Sequence, residues 1–232
     1  MNSGMIALVG IDGSGKTTQA HRLADELRAE GLDASYRRNA GGRHWFGVLA
    51  RRLGRADGDA LLGRRGMLLV EAVLRWLAIL RTVLRRAFAG GLVVMDRYAF
   101  CQYASLRARG AKPGAERFAR LAYRLFPRPD VTFFLDVTPD VAHDRIEARG
   151  YDSETMDYLN AARAAYCSLP EARDFVVIDA NGTPDEVSAA IHAELARLGV
   201  PARGRNVGGM ILAGGPVVAA LAVAGHQLAE AL

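Results

Sequence analysis

Four residues near the start of the chain have the types and spacing to hold a phosphate. Gly10, Gly15, Lys16 and Thr17 follow the pattern G-x-x-x-x-G-K-T, at the end of the apolar run Met5–Val9. Glycines let backbone N–H groups turn inward around phosphate oxygens. Lys16 is expected to reach the β- and γ-phosphates of a nucleoside triphosphate, and the Thr17 hydroxyl to hold Mg²⁺. A helix starting near Gly15 would point its positive end at the anion. The donor-binding set is therefore Gly10, Asp12, Gly13, Ser14, Gly15, Lys16, Thr17 and Thr18. Asp12 either braces the loop backbone or lies near acceptor or metal.

Further charged residues stand where such a loop would need them. Asp96-Arg97-Tyr98 ends an apolar run. An acid at a strand end beside a phosphate loop is a usual second Mg²⁺-linked group, which makes Asp96 a metal candidate with Thr17. Arg97 beside it would face a second anion, since its planar fork suits phosphate. Arg38 closes another run. Arg75 is the one charge within Ala72–Leu80. It reads equally as a snorkelling surface residue or a pocket residue. Arg145 and Arg149 lie one helical turn apart, as a solvated face or as the cationic part of a cover over phosphates.

The elements that must carry these groups follow from periodicity. Apolar runs at Met5–Val9, Asp33–Arg38, Leu92–Met95, Val131–Val137 and Phe175–Ile178 alternate with helical patterns. All but the second have the continuous character of strands buried on both faces, and the more polar second belongs nearer an edge. The expected class is α/β: a P-loop NTPase fold with a five-stranded parallel sheet flanked by helices and an extra apolar C-terminal segment. Ligands in such sheets bind beyond the carboxyl ends of the strands. Leu61 to Phe88 reads as one long helix whose apolar stripe is core, with a dimer interface as a second use. Thr138-Pro139-Asp140 and Thr183-Pro184-Asp185 read as helix starts. Arg107 to Gly114 reads as a loop.

The chain has 232 residues and a formal charge of +5, with half its residues hydrophobic. That is enough for one sizeable domain and excludes a disordered chain. The positive charge is almost all arginine, interleaved with acidic and apolar residues, which fits anionic small molecules; no nucleic-acid partner is expected. Cys101 and Cys167 form no framework, so a reducing, cytoplasmic setting is expected. The five histidines show no metal-ligand spacing. Residues 1–202 read as the phosphate-binding domain and 203–232 as an apolar tail. Asn206 to Ala229 lacks Asp, Glu, Lys and Arg. Its stretch 207–225 is long enough to span a membrane, yet rich in Gly and Ala. A membrane tail, a packed or oligomer-forming helix, and an appendage all stay open.

These pieces resemble bacterial thymidylate kinases of the nucleoside monophosphate kinase group. The resemblance runs from Ile6 to about Leu198. Gly10 to Thr18 resembles the family's phosphate loop. Arg38-Asn39-Ala40-Gly41-Gly42 is similar to R-E-P-G-G. Leu68 to Arg75 resembles an L-L-F-x-A-x-R helix, and Asp96-Arg97-Tyr98 matches D-R-Y. Pro129 to Gly150 resembles the fourth strand and the arginines of the LID, and Arg163 and Tyr166 match an R-x-x-Y spacing. The resemblance implies ATP- and Mg²⁺-dependent phosphorylation of dTMP to dTDP; a homodimer is expected from the long helix Leu61 to Phe88. The resemblance implies that Arg97 and Arg38 clamp the acceptor phosphate, Arg75 contacts the pyrimidine and Phe46 stacks on it. It also implies that Arg145 and Arg149 close over the transferring group. Departures cluster on the acceptor side: Asn39 and Ala40, Leu74, and the segment Phe100 to Leu106. A related kinase for another nucleotide, nucleoside or metabolite, and a non-catalytic binding module, are the alternatives.

Overall fold

The computed structural model describes residues 4–55, 58–150 and 154–199. Five parallel strands lie in the order β2-β3-β1-β4-β5: β1 Gly4–Val9, β2 Ala34–Arg38, β3 Leu92–Asp96, β4 Val131–Asp136 and β5 Val176–Asp179. β1 sits between β3 and β4, pairing Leu8 with Asp96 on one side and with Phe133 on the other. The three inner strands are the continuous apolar ones, and Ile6, Leu8, Met95, Phe133 and Leu135 are among the largest fully buried side chains. β2, the polar run, is an edge strand as expected. β5 departs from its reading. It forms the other edge, and Val177 is 59 % exposed. A continuous apolar run does not reveal that only one neighbouring strand will pair with it.

Eight α-helices are described: α1 Lys16–Ala29, α2 Arg43–Arg52, α3 Gly58–Ala89, α4 Ala99–Ala108, α5 Pro113–Tyr123, α6 Pro139–Glu147, α7 Met156–Ser168 and α8 Pro184–Leu198. α1 packs on β2, β3 and α8, burying Ala20, Leu23, Ala24 and Leu27 at helical spacing. The long helix α3 is broken at Gly63 (φ 72°, ψ 157°). Its stripe is core at Trp76 and Val83, but Val73 and Leu84 face outward. The stretch read as a loop is shorter: Arg107 and Ala108 finish α4, and Pro113 and Gly114 begin α5.

Both Thr-Pro helix starts form, with different chemistry. Thr183 makes a full capping box with Glu186 on α8. Thr138 at α6 makes no side-chain cap, and Val141 stands where a box needs Glu or Gln. Among the described residues no helix is long and apolar enough to cross a membrane. The readings for 203–232 lie outside the described residues.

Candidate active site

The phosphate loop runs from the end of β1 into α1. Gly13 has φ 85°, and a Cβ there would lie 2.4 Å from the carbonyl oxygen of Ala142 in α6. Both the left-handed backbone and the close approach require glycine. Gly13→Ala is therefore expected to weaken ATP binding at least about tenfold, read by calorimetry, since left-handed strain alone costs about 1–2 kcal/mol.

Lys16 is 4 % exposed. Its Nζ donates to the Ile11 carbonyl and to Ser14 Oγ at 3.3 Å. Burial, reinforced by the positive charge of Arg97, pushes its pKa down to about 8. Thr17 Oγ1 donates to Asp96 Oδ2 at 2.6 Å, and the Tyr36 hydroxyl donates to the same oxygen at 3.2 Å. Asp96 is fully buried, and its Oδ1 has no hydrogen-bond partner among the described residues. A hydroxyl from the loop and a half-satisfied carboxylate from the strand end fit Mg²⁺. That ion takes one or two protein ligands and fills its shell with phosphate and water.

Arg97 is the hinge of the site. It is the non-glycine residue with positive φ (78°) among the described residues. Its N–H donates to the Leu8 carbonyl at 3.1 Å, and its own carbonyl accepts from Asn39 Nδ2 at 2.9 Å. The guanidinium donates to Asp12 Oδ1 at 2.7 Å. Burial works against the charge of Arg97, but the Asp12 and Asp96 carboxylates outweigh it and raise its pKa. For Asp12 burial again opposes charge. Arg97 and then Lys16 overcome it and hold the carboxyl well below the usual range. Asp12 thus braces Arg97, and Lys16 Nζ lies 3.8 Å from it.

Two cavities meet at Asp12 and Arg97. The larger, about 360 Å³, is lined by the phosphate loop, Arg97, Arg145, Arg149 and, near the start of α8, Gly182, Pro184 and Val187. Arg145 donates to the carbonyls of Ala180, Asn181 and Gly182 at 2.7, 3.0 and 2.7 Å. It therefore organises the loop after β5, whereas Arg149 is exposed and donates to the Arg145 carbonyl. The smaller cavity lies between α3, α4 and α7. Cys101, Ala104, Ser105 and Arg109 face it from α4 and the turn that follows. Tyr158, Ala162 and Tyr166 face it from α7, with Glu71 and Arg75 from α3. Arg75 resolves as a pocket residue, 3 % exposed. Tyr98 turns away, donating to the Pro127 carbonyl at 2.7 Å. Arg38 and Phe46 lie outside the lining of both cavities.

Several residues of the site escaped the sequence. Glu71 lies just before the apolar segment Ala72–Leu80 and pairs with Arg75 one turn on. Asn39 stood out only as a departure, yet it holds the Arg97 backbone. Tyr158 and Ala162 recur every fourth residue on α7 with Tyr166, which the R-x-x-Y spacing already marks, and that four-residue repeat could have marked their common face. Arg163 makes a two-pronged pair with Asp136 at 2.7 and 2.8 Å, tying α7 to the end of β4.

A parallel sheet with this strand order, and a triphosphate loop beside a second cavity, define a P-loop phosphotransferase. Comparison with known proteins narrows the class. The family model described as thymidylate kinase matches residues 8–191. A thymidylate kinase of Dinoroseobacter shibae is 34 % identical over 203 residues, spanning 82 % of this chain and 95 % of its own. One of Bordetella petrii is 33 % identical over 205 residues, spanning 83 % and 95 %. A probable thymidylate kinase of Archaeoglobus fulgidus is 32 % identical over 190 residues, spanning 81 % and 92 %. The chain belongs to the thymidylate kinase family, and its activity is phosphoryl transfer of that type onto a nucleotide.

Proposed function

We propose that the protein transfers the γ-phosphoryl group of ATP to dTMP, giving ADP and dTDP, with Mg²⁺. The observation that carries this is the meeting of the two cavities at Arg97 and Asp12. It brings a donor phosphate chain and an acceptor phosphate together for in-line transfer. An oxygen of the acceptor phosphate attacks the γ-phosphorus, and the bond to the β,γ-bridging oxygen breaks. That oxygen is already anionic, so no general base is required.

Lys16 and the loop N–H groups hold the donor phosphates. Thr17 and Asp96 hold the metal ion, which when bound neutralises charge on the phosphate oxygens. Arg97 binds the acceptor phosphate, and Arg149 reaches over the transferring group. Arg145 fixes the loop that borders the donor base. Arg38 and Phe46 lie outside the lining of both cavities, and their acceptor contacts rest on the resemblance alone. The match to relatives that are thymidylate kinases supports thymidylate as acceptor.

Incubation with ATP·Mg²⁺ and dTMP, dUMP, dCMP or thymidine, with products weighed by mass spectrometry, tests this. dTDP is expected. Turnover of thymidine but not dTMP, or no product with any acceptor, would overturn the reading.

A further inference from the structure

The carboxylate at the end of β3 carries one donor more than a metal seat requires. Thr17 Oγ1 and the Tyr36 hydroxyl both donate to Asp96 Oδ2, at 2.6 and 3.2 Å. Asp96 Oδ1 is buried without a hydrogen-bond partner among the described residues. The sheet brings Tyr36 there. β2 and β3 run parallel with Tyr36 opposite Val94 and Arg38 opposite Asp96. A side-chain period of two puts Tyr36 on the same face as Asp96, one pair upstream, and the phenol reaches forward to the carboxylate. Helix α1 covers the same spot. Thr17 and His21 lie one turn apart on it. The His21 imidazole stacks on the Tyr36 ring, with centroids 3.5 Å apart and planes inclined by 25°. One helix thus supplies both the hydroxyl that shares Oδ2 and the ring that backs the tyrosine.

A hydroxyl has one proton to donate and two lone pairs. Thr17 gives its proton to Asp96, which leaves its lone pairs for a cation. Tyr36 aims its single proton at the same oxygen. Two donors on one carboxylate oxygen fix the plane of the group and leave the lone pairs of the other oxygen unused. We propose that Tyr36 is a positioning residue for the metal ion. Its hydroxyl holds the Asp96 carboxylate so that Thr17 stays a donor to Oδ2 and Oδ1 stays free for Mg²⁺ or for a water of its shell. Tyr36 lies outside the lining of both cavities, so it acts through Asp96 and not on a substrate. The proposal rests on Thr17 and Asp96 as the metal seat and is independent of which acceptor is used. A partner that orients a metal ligand from outside the coordination shell is worth about 10–100-fold in metal affinity.

The test reads metal binding apart from turnover. The dissociation constant of Mn²⁺ from the complex of the full chain with ADP is measured by water-proton relaxation, without dTMP. Tyr36→Phe keeps the ring and its stack on His21 and removes the hydroxyl. It is expected to weaken Mn²⁺ binding about tenfold, and to raise by a similar factor the Mg²⁺ concentration that half-saturates turnover. ADP affinity in EDTA and KM for dTMP at saturating Mg²⁺ stay within about threefold. Tm without metal stays within about 4 °C of the wild type, the scale of one lost hydrogen bond. A hydroxyl that serves only the fold gives a lower Tm with Mn²⁺ bound as in the wild type. That result overturns the proposal, and so does tighter Mn²⁺ binding. Thr17→Ala separates this role from the seat it rests on. If Thr17→Ala binds Mn²⁺ like the wild type, the metal seat is wrong and the role of Tyr36 falls with it. If Thr17→Ala loses Mn²⁺ while Tyr36→Phe keeps it, the seat stands and the role of Tyr36 alone fails. Failure of dTMP as acceptor removes only the turnover readouts, and Mn²⁺ binding still decides.

Discussion

Lys16→Ala lowers kcat by roughly 10²–10³-fold and weakens ATP binding in the same assay. Loss of one preorganised donor from a site where transition-state charge develops has that scale. The ammonium is enclosed and already aimed into the loop, so its removal cannot be made good by water. The pH dependence carries a sign. With the free-enzyme lysine pushed down to about 8, kcat/KM for ATP falls above that pH as the ammonium is lost.

Stability moves the other way. Below about pH 8, Lys16 is charged in the folded and unfolded chains alike, and the folded state bears the cost of burying the charge. Between about 8 and the unfolded value of 10.5 the folded lysine releases its proton first, and the cost fades. Lys16→Met, which keeps the stem and removes the charge, is therefore expected to melt higher than the wild type at pH 7 without ligand. The gap should close as pH rises through that window. A variant that melts lower at pH 7 and shows no such trend contradicts the account.

Arg97→Ala is expected to lower kcat/KM for the acceptor by roughly 10²–10³-fold while changing ATP affinity only a few-fold. Equal loss on both sides would mean that Arg97 serves mainly to hold Asp12 in the phosphate loop. Arg97→Lys recovers little, because a point charge cannot reproduce a planar fork on a phosphate. Its backbone adds an independent check. At φ 78° an alanine is as strained as the arginine, while glycine is not. Arg97→Gly should exceed Arg97→Ala in stability by about 1 kcal/mol in urea unfolding, although both lose the guanidinium.

The fold was legible wherever burial is complete. β1, β3 and β4 announce themselves because both faces are covered and their runs are unbroken. β5 looked the same in sequence but lies at an edge, which depends on strand order rather than on its own residues. The donor half of the site was legible because one short loop contains its spacing and its chemistry. The acceptor half was not. Arg75 meets Gln102 from another helix, Asn39 reaches the backbone of Arg97, and Glu71 gains meaning only beside the cavity. Contacts between residues far apart in the chain leave no local period to read.

The strand order has a further consequence, for folding. Because β1 inserts between β3 and β4, the loop after it acquires Asp96 and Arg97 only once segments some 80 residues apart have joined. Contacts of that separation form late, after the entropy of closing the intervening chain has been met. No partly zipped sheet can offer a complete nucleotide site, so the nucleotide selects the finished molecule. At a free concentration one hundred times its Kd, such a ligand adds about 2.7 kcal/mol to the native state. Nucleotide supply thereby shifts the balance between folded and unfolded chains, and a strand mutation too mild to touch the chemistry would show itself first when nucleotide runs low.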